Sequence, residues 1–406
     1  MDAKDVIEIL AILLAVGLVA EVLADLLRLP RMVILVGAGI LVGPEVLEWV
    51  EVPLDALGPQ LLFSLGVSLI LFYGGLELSL RVLSRVGMGL ALLAVPGVVI
   101  TALVVGAAAA LAFDLPFEQG FLIGAVVAPT DPAILIPLFE RLRVRPKVVQ
   151  TVVAESALND PTGAVLAVTT AAFILEGEDS VAGAAGEFLA DIGLSVALGI
   201  VLGLLLLVAV SERRFGIWRE SPALVAGLAV AAGYVSIDYA GGSGYLGAFI
   251  AGLIVGNSEL FGLAARETVR REIGYFAGFA THVVVLLVFL VLGASLQLGT
   301  IADEALPALA VIAVLLFLAR PATVLACALP DRRAAWTRDE LTFLAWTRET
   351  GVVPASIAGL LVAQGVPAED ELVTVVALAV IVTLVLQATT KRWLAQRLGL
   401  LEGPAG

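Results

Sequence analysis

Between residues 154 and 165 the chain reads AESALNDPTGAV, which sets Glu155, Ser156, Asn159 and Asp160 inside an otherwise apolar run. Glu155 and Asn159 are four apart, and so are Ser156 and Asp160. Side chains at that spacing share a helix face, so one face presents two carboxylates, a hydroxyl and an amide. A second polar insertion, VVAPTDPAIL, brackets Thr130 and Asp131 between Pro129 and Pro132. A third, TRETGVVPAS, holds Arg348 and Glu349 ahead of Gly351 and Pro354, and Arg320 sits in LFLARPATV. Carboxylate, hydroxyl, amide and loose carbonyl oxygens are hard ligands. They suit alkali or alkaline-earth cations and not soft metals.

The elements that must position these groups are membrane helices. Of 406 residues 60% are hydrophobic and only 15% charged, against about 25% charged in soluble domains. Many apolar runs approach the roughly 20 residues that span a bilayer core. The first run lacks a small-residue cleavage site after a basic start, so it reads as a retained helix and not a signal peptide. One cysteine, Cys327, excludes an intramolecular disulfide, and one histidine, His282, excludes a histidine metal cluster. His282 reads as a packing or lipid-facing residue. A net charge of −14 argues against a nucleic-acid partner. No cofactor is expected.

Apolar runs between charged or Pro/Gly-rich breaks predict an all-α polytopic protein of thirteen spans, at 6–27, 32–48, 60–79, 86–113, 117–139, 147–175, 187–211, 221–239, 244–257, 272–297, 304–329, 337–363 and 371–396. Twenty of the 23 basic residues, Lys391 among them, then fall on one side. Acids such as Glu48, Glu51, Asp55, Asp303, Glu369 and Asp370 fall on the other. The positive-inside rule puts the N-terminus outside and the C-terminus in the cytoplasm. Arg320 and Arg348 lie within spans 11 and 12, where a central charge costs about 2.5–3.5 kcal/mol on insertion scales. Each needs a partner, and the acids of spans 5 and 6 are candidates.

Prolines and glycine should break spans 5 and 12, which is tolerated only where freed backbone meets protein or lines a cavity. These two spans are seven apart, as are the short, Gly-rich spans 2 and 9. With span 7 as linker, spans 1–6 therefore map onto 8–13 as inverted six-helix repeats, the pattern of secondary transporters. Asp131, Glu155 and Asp160 face Arg320 and Arg348, which leaves one acid uncompensated. That leaves room for one proton or one monovalent cation. Half-helix N-termini would attract an acid such as Asp131, and C-termini a base such as Arg348.

PTDP, ESALNDPTG, GSGYLGAFIAGLIVGN, ARP and the Arg-Gly-Pro of span 12 together resemble the monovalent cation/proton antiporters. The likeness is to the prokaryotic sodium/proton antiporters related to the animal Na⁺/H⁺ exchangers, in order and over nearly the whole chain. Its Asn-Asp pair resembles the electroneutral branch. The resemblance implies a secondary transporter and not an enzyme, exchanging Na⁺ or Li⁺ for H⁺ one for one across the cytoplasmic membrane. K⁺/H⁺ exchange is the alternative. Asp160 is implied as the carrier that takes cation and proton in turn, with Asn159 as its supporting amide. Ser156, Thr130 and Asp131 are implied as further members of the Na⁺ site. Glu155 and Arg320 match a structural ion pair, and Arg348 matches the base at the span 12 break. A homodimer is implied, with residues 1–85 and 221–297 as scaffold, 86–175 and 304–397 as transport core, and 187–211 as linker. Two features depart from the family pattern. Arg348 is followed by Glu349 and Thr350 where many relatives read Leu-Arg-Gly. Tyr73 stands where an acid is common, one turn before Glu77, the candidate cavity acid.

Other classes are weaker. Asp160 and Asn159 could be a helix–helix hydrogen-bonding pair, but acids within a membrane are functional by default. A channel or cation-coupled symporter could use a similar scaffold. An intramembrane aspartyl protease would need Gly-x-Gly-Asp or Tyr-Asp settings, which Asp131 and Asp160 lack.

Overall fold

The computed structural model describes residues 3–81, 88–131, 144–177, 181–211, 216–261, 267–331 and 334–401. It is built of helices, and the described residues include only an isolated antiparallel bridge, between Val144 and Leu401. Eight helices are long and apolar enough to cross a membrane, or nine with the bent helix near the C-terminus counted as one span. Four shorter apolar helices accompany them, at Arg31–Val42, Phe117–Val127, Gly244–Gly256 and Val352–Ala363.

In chain order the helices are α1 (Ala3–Leu27), α2 (Arg31–Val42), α3 (Leu57–Glu77), α4 (Met88–Ala94), α5 (Pro96–Phe113), α6 (Phe117–Val127), α7 (Pro146–Glu176) and α8 (Val181–Val210). There follow α9 (Pro222–Tyr239), α10 (Gly244–Gly256), α11 (Glu267–Ala294), α12 (Leu298–Val314), α13 (Arg320–Ala328), α14 (Arg338–Trp346), α15 (Val352–Ala363) and α16 (Glu369–Arg397). Proline opens α5, α7 and α9, where its missing N–H and fixed φ cost nothing. A π-turn at Leu315–Ala319 joins α12 to α13, directly before Arg320 and Pro321. Wider winding there accommodates the carbonyl that a proline cannot bond.

Short helices are placed by glycine. Gly252 of α10 lies so close to α3 that a Cβ would strike the Phe72 carbonyl, and Gly75 of α3 is pressed the same way onto Phe249. Without apolar solvent to expel, membrane helices associate through such close backbone approach. Asn257, just after α10, then donates from Nδ2 to the Leu78 carbonyl at 2.8 Å and accepts from the Leu80 N–H at 2.9 Å. One amide thus satisfies backbone left over at the end of α3. Around this contact α11 packs on α2 and α3, while α5 packs on α6 and α12 on α16. His282 of α11 lies 3.2 Å from Glu21 of α1, a contact across the α1–α11 seam.

Two clefts differ in charge. One, of about 550 Å³, is lined by Tyr73, Glu77, Arg81, Glu259, Arg270 and Arg271. The other, of about 420 Å³, gathers Glu45, Glu51, Asp55, Glu369 and Asp370, with no base among the described residues of its wall.

Gly252→Val should push α10 off α3 and destabilise the protein by about 1–3 kcal/mol or more, read as a lower melting temperature in detergent. Gly37→Val is the control, since nothing lies within 4 Å of a Cβ at Gly37, and it should melt like the parent.

Candidate functional site: two broken helices crossed

Helix α6 ends at Val127, two residues before Pro129, and residues 128–131 continue without helix. The rest of the expected span, 132–139, lies outside the described residues. Helix α14 ends at Trp346, residues 347–351 are unwound, and α15 restarts at Val352. The expected break of span 12 therefore occurs, and span 5 leaves the helix at Ala128, just ahead of Pro129. The two segments cross, and the Asp131 N–H donates to the Glu349 carbonyl at 3.1 Å.

At the crossing each break serves the other. The Arg348 guanidinium donates to the Pro129 carbonyl at 2.7 Å and to that of Val127, so a base closes the C-terminal end of α6. Asp131 Oδ2 accepts the Val352 N–H at 3.3 Å, so an acid sits at the N-terminal end of α15. Both charges match the partial charge of the helix end they meet. Gly351 leaves no room for a side chain, because a Cβ there would collide with the Asp131 carboxylate. Of the two partners expected for Arg348, a carboxylate and a half-helix C-terminus, its hydrogen bonds go to the second, carbonyl oxygens that α6 leaves unpaired on ending.

Helix α7 lays its polar face on the first break. Asn159 accepts the Thr130 N–H at 3.1 Å and donates from Nδ2 to Thr130 Oγ1 at 2.9 Å, contacts that fix the orientation of its amide. The Ser156 hydroxyl donates to the Thr130 carbonyl. Gly163 permits this approach, since a Cβ would run into Pro129. Asp160 is treated differently. Its Oδ1 is buried and has no hydrogen-bond partner among the described residues. Pro161 follows it inside the helix and supplies no N–H to the turn behind. Asp131 and Arg348 are charged neighbours of Asp160 among the described residues. Such an atom suits a proton or a small cation, because an unsatisfied buried oxygen is costly. Thr350 Oγ1 and Ser356 Oγ, on either side of Gly351, are also buried without a partner among the described residues.

Glu155, on the same helix, is taken by a different partner. Arg320 grips it with both terminal nitrogens, NH2 to Oε2 at 3.0 Å, and donates from Nε to the Leu344 carbonyl at 3.0 Å. Both side chains are buried, and the fork geometry ties α13 to α7 and α14. Glu77 is not brought to the site. It ends α3 and lines the arginine-bearing cleft.

Lys391 corrects the count of loop charges. Assigned by sequence to the basic C-terminal end, it is 1% exposed and forms an ion pair with Glu349, itself 1% exposed. The charge balance survives, because this pair adds one acid and one base. The signal was present as Thr383, Gln387 and Lys391, spaced by four along an apolar helix.

Comparison with known proteins follows the same lines. A family described as "Sodium/hydrogen exchanger, transmembrane" matches residues 10–397. The K(+)/H(+) antiporter NhaP2 of Shewanella sp. (strain ANA-3) is 31% identical over 400 residues, 97% of this chain and 67% of that protein. The K(+)/H(+) antiporter NhaP of Alkalimonas amylolytica is 28% identical over 98% of this chain and 68% of its own length. The sodium proton antiporter MjNhaP1 of Methanocaldococcus jannaschii, solved at pH 8, superposes with a TM-score of 0.83 at 26% identity, covering 96% of this chain and 97% of that one.

Glu155→Gln should cost about 3–5 kcal/mol by stranding the Arg320 charge, seen as a lowered detergent melting temperature. Glu155→Gln/Arg320→Gln should recover part of the loss. Parental melting in both Glu155→Gln and Arg320→Gln would contradict the pair.

Proposed function

The chain belongs to the sodium/hydrogen exchanger family, and from that premise we propose that it exchanges Na⁺ or Li⁺ for H⁺ one for one at Asp160. It is a secondary transporter and not an enzyme. The observation that carries the reading is the buried, unpartnered Asp160 Oδ1, set beside a cluster whose other charges have partners. Asp131, Glu155, Asp160 and Glu349 oppose Arg320, Arg348 and Lys391, one acid in excess. A proton or a monovalent cation on Asp160 brings the cluster to neutrality. Either loaded form can then cross a low-dielectric barrier that the empty, charged form crosses poorly. That difference couples the fluxes without a separate gate. Asn159 holds Thr130 in place and carries no proton, so one carrier acid gives one proton per cation. The oxygens of Ser156, Thr130 and Asp131 complete the cation site, directly or through water.

Thirteen spans in two inverted six-helix repeats support alternating access in this reading. Residues 86–175 and 304–397 form the transport core, 1–85 and 221–297 the scaffold and homodimer surface, and 187–211 the linker. The packing of α10 and α11 on α3, and of α12 on α16, supports that division. The N-terminus lies outside the cytoplasmic membrane and the C-terminus inside. K⁺ is the alternative cation, favoured by the names of the NhaP and NhaP2 relatives.

A pH-dye assay in proteoliposomes, titrating Na⁺, Li⁺ and K⁺ separately, tests this. Asp160→Asn should abolish exchange and still melt as a folded protein; an active variant would overturn the assignment. Protons and cations compete for one carboxylate, so apparent cation affinity should fall as pH drops, toward about tenfold per unit once the free site is mostly protonated. An imposed membrane potential should leave the rate unchanged, and strong voltage dependence would refute one-for-one exchange.

A further inference from the structure

The Glu349-Thr350 departure from the family pattern has a structural counterpart. Along extended backbone, the conformation Thr347 adopts on leaving α14, successive side chains point to opposite sides. Arg348 reaches the carbonyls of Val127 and Pro129, and Glu349 reaches the other way, to Lys391 on α16. Thr383, Gln387 and Lys391 form one buried stripe on that helix, four residues apart. Each holds the unwound segment or its edge. Thr383 Oγ1 accepts the Thr350 N–H at 3.0 Å, Gln387 Nε2 donates to the Trp346 carbonyl at 2.5 Å, and Lys391 donates to Glu349. Trp346 adds a bond from Nε1 to Thr390 Oγ1 at 2.9 Å.

We propose that Glu349 and Lys391 are a positioning pair for exchange, fixing segment 347–351 against α16 in the register that presents Arg348 and the Glu349 carbonyl to the first break. The inference rests on the reading that exchange takes place at Asp160. Two physical points support it. A carboxylate beside Arg348 with no cation of its own would compete for the guanidinium and draw it from the carbonyls. Lys391 removes that competition. A buried ion pair also adds little net stability compared with apolar residues of similar volume, and its best-attested use is to fix register.

The test is Glu349→Gln/Lys391→Met, which removes both charges, preserves side-chain volume and leaves the charge balance at Asp160 unchanged. Exchange is measured in proteoliposomes at one alkaline pH with Na⁺ titrated. The double variant should melt close to the parent and keep its maximal rate within about twofold. Its apparent KM for Na⁺ should rise about tenfold, as when the supporting shell of an ion site is lost. Lys391→Arg keeps the charge and should hold the parental KM. An unchanged KM in the double variant, whatever its rate, would overturn the proposal. So would a double variant that does not fold, since the pair would then hold the fold and not the register. A parent without exchange, or an active Asp160→Asn, would instead overturn the underlying function.

Discussion

Everything at the centre of this protein depends on one constraint. A helix interrupted inside hydrocarbon must find partners for the backbone groups it releases. Here the partners come from the other interruption. Arg348 closes the end of α6, Asp131 closes the start of α15, and one backbone bond from Asp131 to Glu349 joins the two. Neither break is satisfied alone. Each charged side chain is committed to a helix end, so the two interruptions are tied to each other. The charges sit where the backbone requires them.

The surrounding polar groups sort by whether they have a partner. Glu155 is taken by Arg320 and Glu349 by Lys391, while Ser156 and Asn159 are used on Thr130. Asp160 is the group in this set whose Oδ1 has no partner among the described residues. In the proposed function that isolation is the mechanism. A carboxylate with a fixed partner would have no reason to exchange proton for cation, and Ser156, Asn159 and Arg348 are engaged elsewhere. Fixed pairs thus protect the availability of one oxygen.

Much of this was legible in the sequence. Proline and glycine mark where α6 ends and where span 12 is interrupted because their chemistry is local, and the four-residue spacing on α7 fixes which side chains share a face. Charge cost in the membrane named the acids of spans 5 and 6 as candidate partners for Arg320, and the family resemblance singled out Glu155. What was not legible depended on side-chain direction in unwound backbone. Periodicity cannot say that Arg348 turns toward carbonyls and Glu349 toward α16, since helical spacing no longer applies there. Lys391 misled for a related reason. It lies near a helix end with Arg392 and Arg397, and nothing local distinguishes a lysine that reaches a loop from one that is buried. The polar stripe it shares with Thr383 and Gln387 was the available clue. Glu77 stayed ambiguous because its surroundings come from α10 and α11, far along the chain.

The mutual dependence of the two breaks also has a consequence in time. Pro129 and Arg348 are 219 residues apart. At synthesis rates of about 5–20 residues per second, the ribosome takes roughly 10–45 s to deliver the second after the first. Through that interval the newly inserted first half carries carbonyls whose native partner does not yet exist. Biogenesis must shelter that half in water or beside the insertion machinery. A chain halted before residue 348 is therefore left with an unsatisfied break, a natural target for quality control.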